Sequence, residues 1–231
     1  MRNGTLSLEQ SFPDELSVLK ELFGVDQVEG QLRRLNEIYE YTEGKWQDYV
    51  AKLGKVNYLL IVEAPPWSAA GRPEYVLDPA SRSRKLMQAL RKVFCVKTEG
   101  IKLDASEALA EFARRGLLIV DSIPFAMAYS NKRSRGKYGS LVRLTAQSYL
   151  RRKLLSPSLL SLMSPDLRVA FGFKLNALAV MNGLGNQLDL GQVKLALRPE
   201  QIAVNDAGYP DAGKLRAVYG VEKDRCCLLN E

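Results

Sequence analysis

The chain predicts an α/β fold: a three-layer sandwich around a mainly parallel, four-stranded central sheet, with helices ahead of it. Three observations carry this expectation. Short apolar runs at 58–62, 117–120, 167–171 and 201–204 are separated by stretches with helical spacing, the alternation that builds a parallel sheet through crossover helices. The first two runs lack polar alternation, as suits strands covered on both faces. Residues 11–54 show helical periodicity and no strand pattern.

The elements follow in order. Ser11 offers a cap, Pro13 sits in the first turn with Asp14 and Glu15, and Leu16, Leu19, Leu22 and Phe23 share one face before Gly24 stops the helix. A second helix uses Val28, Leu32, Leu35, Ile38 and Tyr39, and a third covers 45–53, closed by Gly54. The first strand must end near Ala64, because Pro65 and Pro66 have no N–H for a ladder. A Pro/Gly loop, 65–79, leads to a helix from Ser81. Leu86, Leu90 and Phe94 are spaced there for burial, and Arg82, Arg84, Lys85, Arg91 and Lys92 lie on the other face. Asp104 and Glu107 resemble a capping box for a helix running to Arg115, with Gly116 as its stop. The second strand ends in Asp121-Ser122-Ile123-Pro124. A helix with Leu141, Leu144, Tyr149 and Leu150 follows, then a short one begun by Ser156-Pro157. The third strand passes through Gly172 into a helix over 174–181. A further strand is expected at 193–197, and the fourth ends at Asn205-Asp206, before a turn-rich loop and a short helix from Lys214. The 231 residues are read as one domain, 1–54 being a helical extension and 55–220 the core.

Parallel strands deliver their carboxyl ends to one edge, where ligands of open α/β sheets collect. Three ends are polar here: Glu63, Asp121 with Ser122, and Asn205 with Asp206. Glu63 also reads as a solvated strand terminus, and position alone leaves both readings open.

Composition narrows the chemistry. There is no histidine, which removes the commonest general base and the usual triads. Acid–base work falls to Asp, Glu, Lys, Tyr or Cys. The three cysteines, Cys95, Cys226 and Cys227, lack disulfide-framework or zinc-ligand spacing, so neither metal nor other cofactor is expected, and a reducing, cytoplasmic setting is the default. No apolar run reaches the roughly 18 residues of a membrane span, and the first ten residues lack the apolar core of a signal peptide.

The net charge of +7 is unevenly placed. No acidic residue lies between Asp121 and Asp166, while Lys132, Arg133, Arg135, Lys137, Arg143, Arg151, Arg152 and Lys153 all do. Such a tract is the electrostatic footprint of a polyanion partner such as a nucleic acid, and equally that of a solvated loop and helix face. Tyr129, Tyr138 and Tyr149 interleave with the charges as stacking candidates.

In the order and spacing of its motifs, over roughly residues 56–218, the chain resembles the uracil-DNA glycosylase superfamily. Val62-Glu63-Ala64-Pro65-Pro66 is similar to the Gly-Glu-Ala-Pro-Gly strand end of one bacterial and archaeal branch. Gly71-Arg72-Pro73-Glu74-Tyr75-Val76 resembles the Gly-Arg-Pro-Phe-Val loop that follows it there. Val120-Asp121-Ser122-Ile123-Pro124 matches a strand that in the family ends in a base-reading asparagine. The stretch from Ala170 to Ala177 resembles the Leu-Gly-x-x-Ala passage from strand to helix, and Asn205-Asp206-Ala207-Gly208 falls where the family has His-Pro-Ser.

The resemblance implies a DNA-binding protein that hydrolyses the N-glycosidic bond of a flipped, altered base. It assigns Glu63 to the sugar cation and the attacking water. Asp121 and Ser122 would contact the base, with Tyr75 and Trp67 beside it. Asn205 would donate to the departing base, and Tyr209 would fill the vacated stack. Lys132, Arg133, Arg135, Lys137, Arg151 and Arg152 would hold the DNA. The departures are equally specific. The loop histidine is missing, Asp121 replaces the asparagine, Glu74 takes the stacking aromatic's aligned position, and the branch's iron–sulfur cysteines are missing. A carboxylate accepts hydrogen bonds and donates none unless protonated, so uracil itself suits this edge poorly. Two other readings remain: a nucleic-acid-binding protein without chemistry, and an unrelated α/β enzyme acting on a phosphorylated small molecule. Against the latter, there is no P-loop and no dinucleotide fingerprint, and Gly183-Leu-Gly185 follows a helix.

Overall fold

The computed structural model describes residues 7–81, 84–94, 104–129, 132, 136–174, 177–191 and 193–222. It is α/β. A three-stranded parallel sheet is built from β1 (Val56–Val62), β2 (Leu117–Asp121) and β3 (Met163–Phe171), in the order β2-β1-β3. The expected four-stranded sheet is corrected to three. Residues 201–204 continue the sheet beyond β3 only as an isolated parallel bridge, Phe171 to Ile202, with the Ala203 N–H donating to Phe171 O at 2.9 Å. Pro199 opens a 3-10 turn immediately ahead of this run, and Val204 turns back to bridge Pro210. Too few extended residues remain for a ladder. The strand expected at 193–197 is β5 (Lys194–Ala196), which pairs antiparallel with β4 (Gln187–Asp189) in a separate hairpin.

The N-terminal helices are α1 (Leu8–Ser11), α2 (Pro13–Phe23) and α3 (Val25–Val50). Ser7, and not Ser11, is the N-cap that opens them, in a capping box with Gln10. The two helices expected over 28–53 form one. Gly30 and Gly44 are tolerated in α3 because Val28, Leu35, Ile38, Tyr39, Trp46 and Tyr49 form one continuous buried stripe. That stripe seals the sheet. In parallel pairing the N–H and C=O of alternate residues turn outward, and here Trp46 Nε1 donates to Ile119 O at 3.0 Å and the Tyr49 hydroxyl to Leu117 O at 2.6 Å. The outer carbonyls of edge strand β2 are thus met by side chains.

Next come α4 (Arg84–Phe94) and α5 (Ala105–Arg114), the latter capped by Asp104 and Glu107 as expected. Gly116 between α5 and β2 has φ of +80°, and a Cβ there would sit 2.2 Å from Lys55 O, so only glycine fits. Then follow α6 (Gly136–Thr145), a π turn over Ala146–Leu150, α7 (Arg151–Leu154), α8 (Pro157–Leu160), α9 (Ala177–Gly183) and α10 (Ala212–Tyr219). Tyr58, Phe94, Phe112 and Tyr219 pack ring on ring, tying β1 to α4, α5 and α10. No helix among the described residues is long and apolar enough to cross a membrane.

Candidate site at the carboxyl edge of the sheet

Registration sets the edge. Val62 pairs with Asp121 and Ile61 with Phe171. Beyond those pairs, the Ser122 N–H donates to Val62 O at 2.8 Å, the Ile123 N–H to Glu63 O at 3.0 Å, and the Gly172 N–H to Ile61 O at 2.9 Å. Glu63, Ser122 and Gly172 therefore form one row across the ends of β1, β2 and β3, and the 205–209 turn follows the bridge beside β3. The strand-end reading brings its residues to one edge of the sheet, yet their side chains sit in different surroundings.

Glu63 is half-buried. Its Oε1 accepts from the Tyr138 hydroxyl at 2.5 Å, while Ser122 Oγ donates to its backbone carbonyl at 2.8 Å. Tyr138 is fully buried and lies 5.1 Å, ring to ring, from Tyr129. Burial, with the nearby Glu63 carboxylate, holds the Tyr129 hydroxyl well above its ordinary pKa. The Tyr129 hydroxyl thus stays protonated and donates to Phe125 O at 3.0 Å.

Asp121 has other neighbours. It is 2 % exposed and accepts from the Tyr75 hydroxyl at 3.0 Å. Desolvation pushes its carboxyl up to about 6, opposed by the Lys153 ammonium and the Tyr75 hydrogen bond. Near neutral pH, Asp121 is thus close to exchanging an acceptor-only form for one that donates. Lys153 itself is buried. It pairs with Glu43 at 2.9 Å, donates to the Tyr149 hydroxyl at 2.8 Å, and sits 3.9 Å from the Trp46 ring centroid. Desolvation holds its pKa below the usual lysine value, against the pull of Glu43 and Asp121.

Tyr75, expected to stack on a base, is 2 % exposed and a core residue in this conformation. Trp67 is half-buried and packs against the same core. Asn205 is exposed, but its Oδ1 accepts from the Tyr209 N–H at 3.0 Å, so its carbonyl is engaged in holding its own loop. The Tyr209 ring is 46 % exposed, with the Lys85 ammonium 3.4 Å from its centroid.

The basic tract is far less open than its sequence suggests. Arg133 and Arg135 lie outside the described residues. Lys137 is paired with Glu21, Lys153 with Glu43, Arg152 lies 4.9 Å from the Phe12 ring, and Lys132 lies 5.4 Å from that of Phe23. Arg143 and Arg151 are exposed. Tyr129, Tyr138 and Tyr149, expected as stacking platforms, are buried and pack on Phe23, on one another and on Phe12. Tyr138 and Tyr149 serve the core because the helical spacing that interleaves them with the charges turns them inward.

Sequence reasoning missed Tyr138 as the Glu63 partner and the Glu43–Lys153 pair beside Asp121. The only signal for the latter was a lysine beside the apolar positions Leu150 and Leu154. Two surface depressions, of about 160 Å³ beside Arg151 and Leu188 and about 440 Å³ beside Arg168 and Val218, lie away from the strand ends. Among the described residues no cluster of His, Cys, Asp and Glu could hold a metal ion. No family model, no curated protein and no solved structure matches the chain.

Proposed function

We propose that the protein is a DNA-binding protein of the uracil-DNA glycosylase-like type, a three-layer relative in which Glu63 assists hydrolysis of an N-glycosidic bond. One observation supports this most: a half-buried carboxylate at the carboxyl end of the central strand, oriented by a buried tyrosine hydroxyl. Breaking the bond leaves the electron pair on the base and positive charge on the sugar. Glu63 opposes that charge and accepts the proton of the water that adds to the sugar carbon. Tyr138, donating to Glu63, fixes the carboxylate's rotamer. Asp121 and Ser122 lie at the neighbouring strand end, where a base edge would be read.

A second reading, DNA binding without base release, draws on different observations. Asp121 and Tyr75 are 2 % exposed, and the Asn205 carbonyl is taken by its own turn. No base reader is then presented to the surface, and Asn205 keeps only its Nδ2 to offer a leaving group.

The two separate in one assay. Oligonucleotides carrying uracil, hypoxanthine, xanthine or alkylated bases are incubated with the protein and treated with hot alkali. The catalytic reading expects strand breaks that fall by about a hundredfold or more in Glu63→Gln. Breaks that persist in Glu63→Gln remove Glu63 from the chemistry. Binding without breaks on every substrate selects the second reading.

A further inference from the structure

A second basic surface lies outside the 132–153 tract. Helix α4, Arg-Lys-Leu-Met-Gln-Ala-Leu-Arg-Lys-Val-Phe, carries four basic residues and no acid. Helix α10 packs on it and adds Lys214 and Arg216, again with no acid. Arg216 donates to the Lys92 carbonyl, fastening the two helices together. At their sheet-edge end stands the 205–209 turn. The turn is closed by Asn205 N–H to Tyr209 O at 2.9 Å and Tyr209 N–H to Asn205 Oδ1 at 3.0 Å, and Lys214 Nζ holds Val204 O at 2.7 Å. A rigid backbone thus carries an exposed aromatic ring, with the exposed Lys85 ammonium against it.

We propose that Lys85 and Tyr209, backed by the basic sides of α4 and α10, are the contact point for single-stranded nucleic acid. The ammonium pairs with a phosphate while the ring stacks on an unpaired base. An exposed ring beside a cation matches the alternation of base and phosphate along a strand. The ammonium is a point charge with several donors, so it can hold a ring and a phosphate oxygen together, tolerates any sequence, and is sensitive to salt. Neither helix carries a carboxylate that would repel the backbone, and the acids beside Tyr209 are Asp206 in its turn and Asp211, which caps α10. This inference rests on the nucleic-acid reading above and moves the contact from the tract to the α4–α10 side of the sheet edge.

The full chain is titrated against a fluorescein-labelled mixed-sequence oligodeoxynucleotide, its duplex, and labelled polyglutamate, by anisotropy at low and moderate salt. The single strand should bind best. Tyr209→Ala should weaken it by about tenfold while Tyr209→Phe keeps it, because stacking needs the ring and not the hydroxyl. Lys85→Gln should lower the slope of log affinity against log salt by about one. Both side chains lie outside the core, and unchanged thermal unfolding of the variants controls for folding. Wild-type affinity in Tyr209→Ala and Lys85→Gln overturns the proposal, as does tighter binding of the duplex or equal binding of polyglutamate. If base release is seen while both variants bind as wild type, this inference alone falls. A wild-type protein that binds no oligonucleotide overturns both.

Discussion

The segment 132–153 and the pair of helices α4 and α10 are both rich in lysine and arginine, but they differ in what meets the charge. In the first, Arg143 and Arg151 stay exposed while other cations are met by carboxylates and rings, and Lys153 is buried outright. Lys153 lies against Trp46 and Glu43, Arg152 rests on Phe12, and Lys137 reaches Glu21. In the second, Lys85 stays at the surface and meets an exposed ring. The difference comes from what lies opposite. Helices α2 and α3 supply carboxylates and rings to the 132–153 segment, whereas α4 and α10 face each other with no acid on either. Charge clustered in sequence is therefore a poor guide to charge offered to a partner.

That contrast can be broken at its strongest point. Lys153→Met keeps the stem over Trp46 but leaves Glu43 buried without its partner, which should cost about 3–5 kcal/mol in urea unfolding. Adding Glu43→Gln should recover much of that loss. A cost below about 1 kcal/mol would make Lys153 no different from a surface lysine.

The next effect sharpens the account of what Lys153 is set against. The Asp121 carboxyl stands at about 6 in the fold, against 3.8 for the free side chain. The native state therefore holds its proton more tightly. The stability from this group is full below about pH 4 and is lost as pH rises through about 6, a swing of about 3 kcal/mol. Asp121→Asn removes the titration, so its stability relative to wild type should rise between pH 4 and pH 7. A difference that stays flat across that window would show that Asp121 is not held in a desolvated site.

The smallest effect lies at the rim. Lys137→Gln breaks an exposed pair with Glu21 and should change stability by less than about 1 kcal/mol. A larger loss in chemical denaturation would mean that the tract's outer charges are structural as well.

Much of the architecture was legible in the chain. The strands at 58–62 and 117–120 are apolar runs stopped by proline, and a capping box marks α5 without ambiguity. What failed was local context. Residues 201–204 look like the other strands, but the turn at Pro199 and the reversal at Val204 leave room for one bridge only. A separate helix was expected from Lys45, and the buried stripe of Ile38, Thr42, Trp46 and Tyr49 carries α3 through that point. At the site, the strand-end positions of Glu63, Asp121 and Ser122 could be read because a strand end is a local signal. Their partners could not, since Tyr138 meets Glu63 across 75 positions of chain. The burial of Tyr75 went unread for the same reason: nothing near it in sequence says that Asp121 and the core will close over its ring.

Trp46 and Tyr49 give the N-terminal helices a protective task. By occupying the lateral acceptors of β2, they deny a docking rail to any foreign strand. A version of the protein trimmed to begin at β1 would carry that rail bare, and self-association through it is the expected fate of such a fragment.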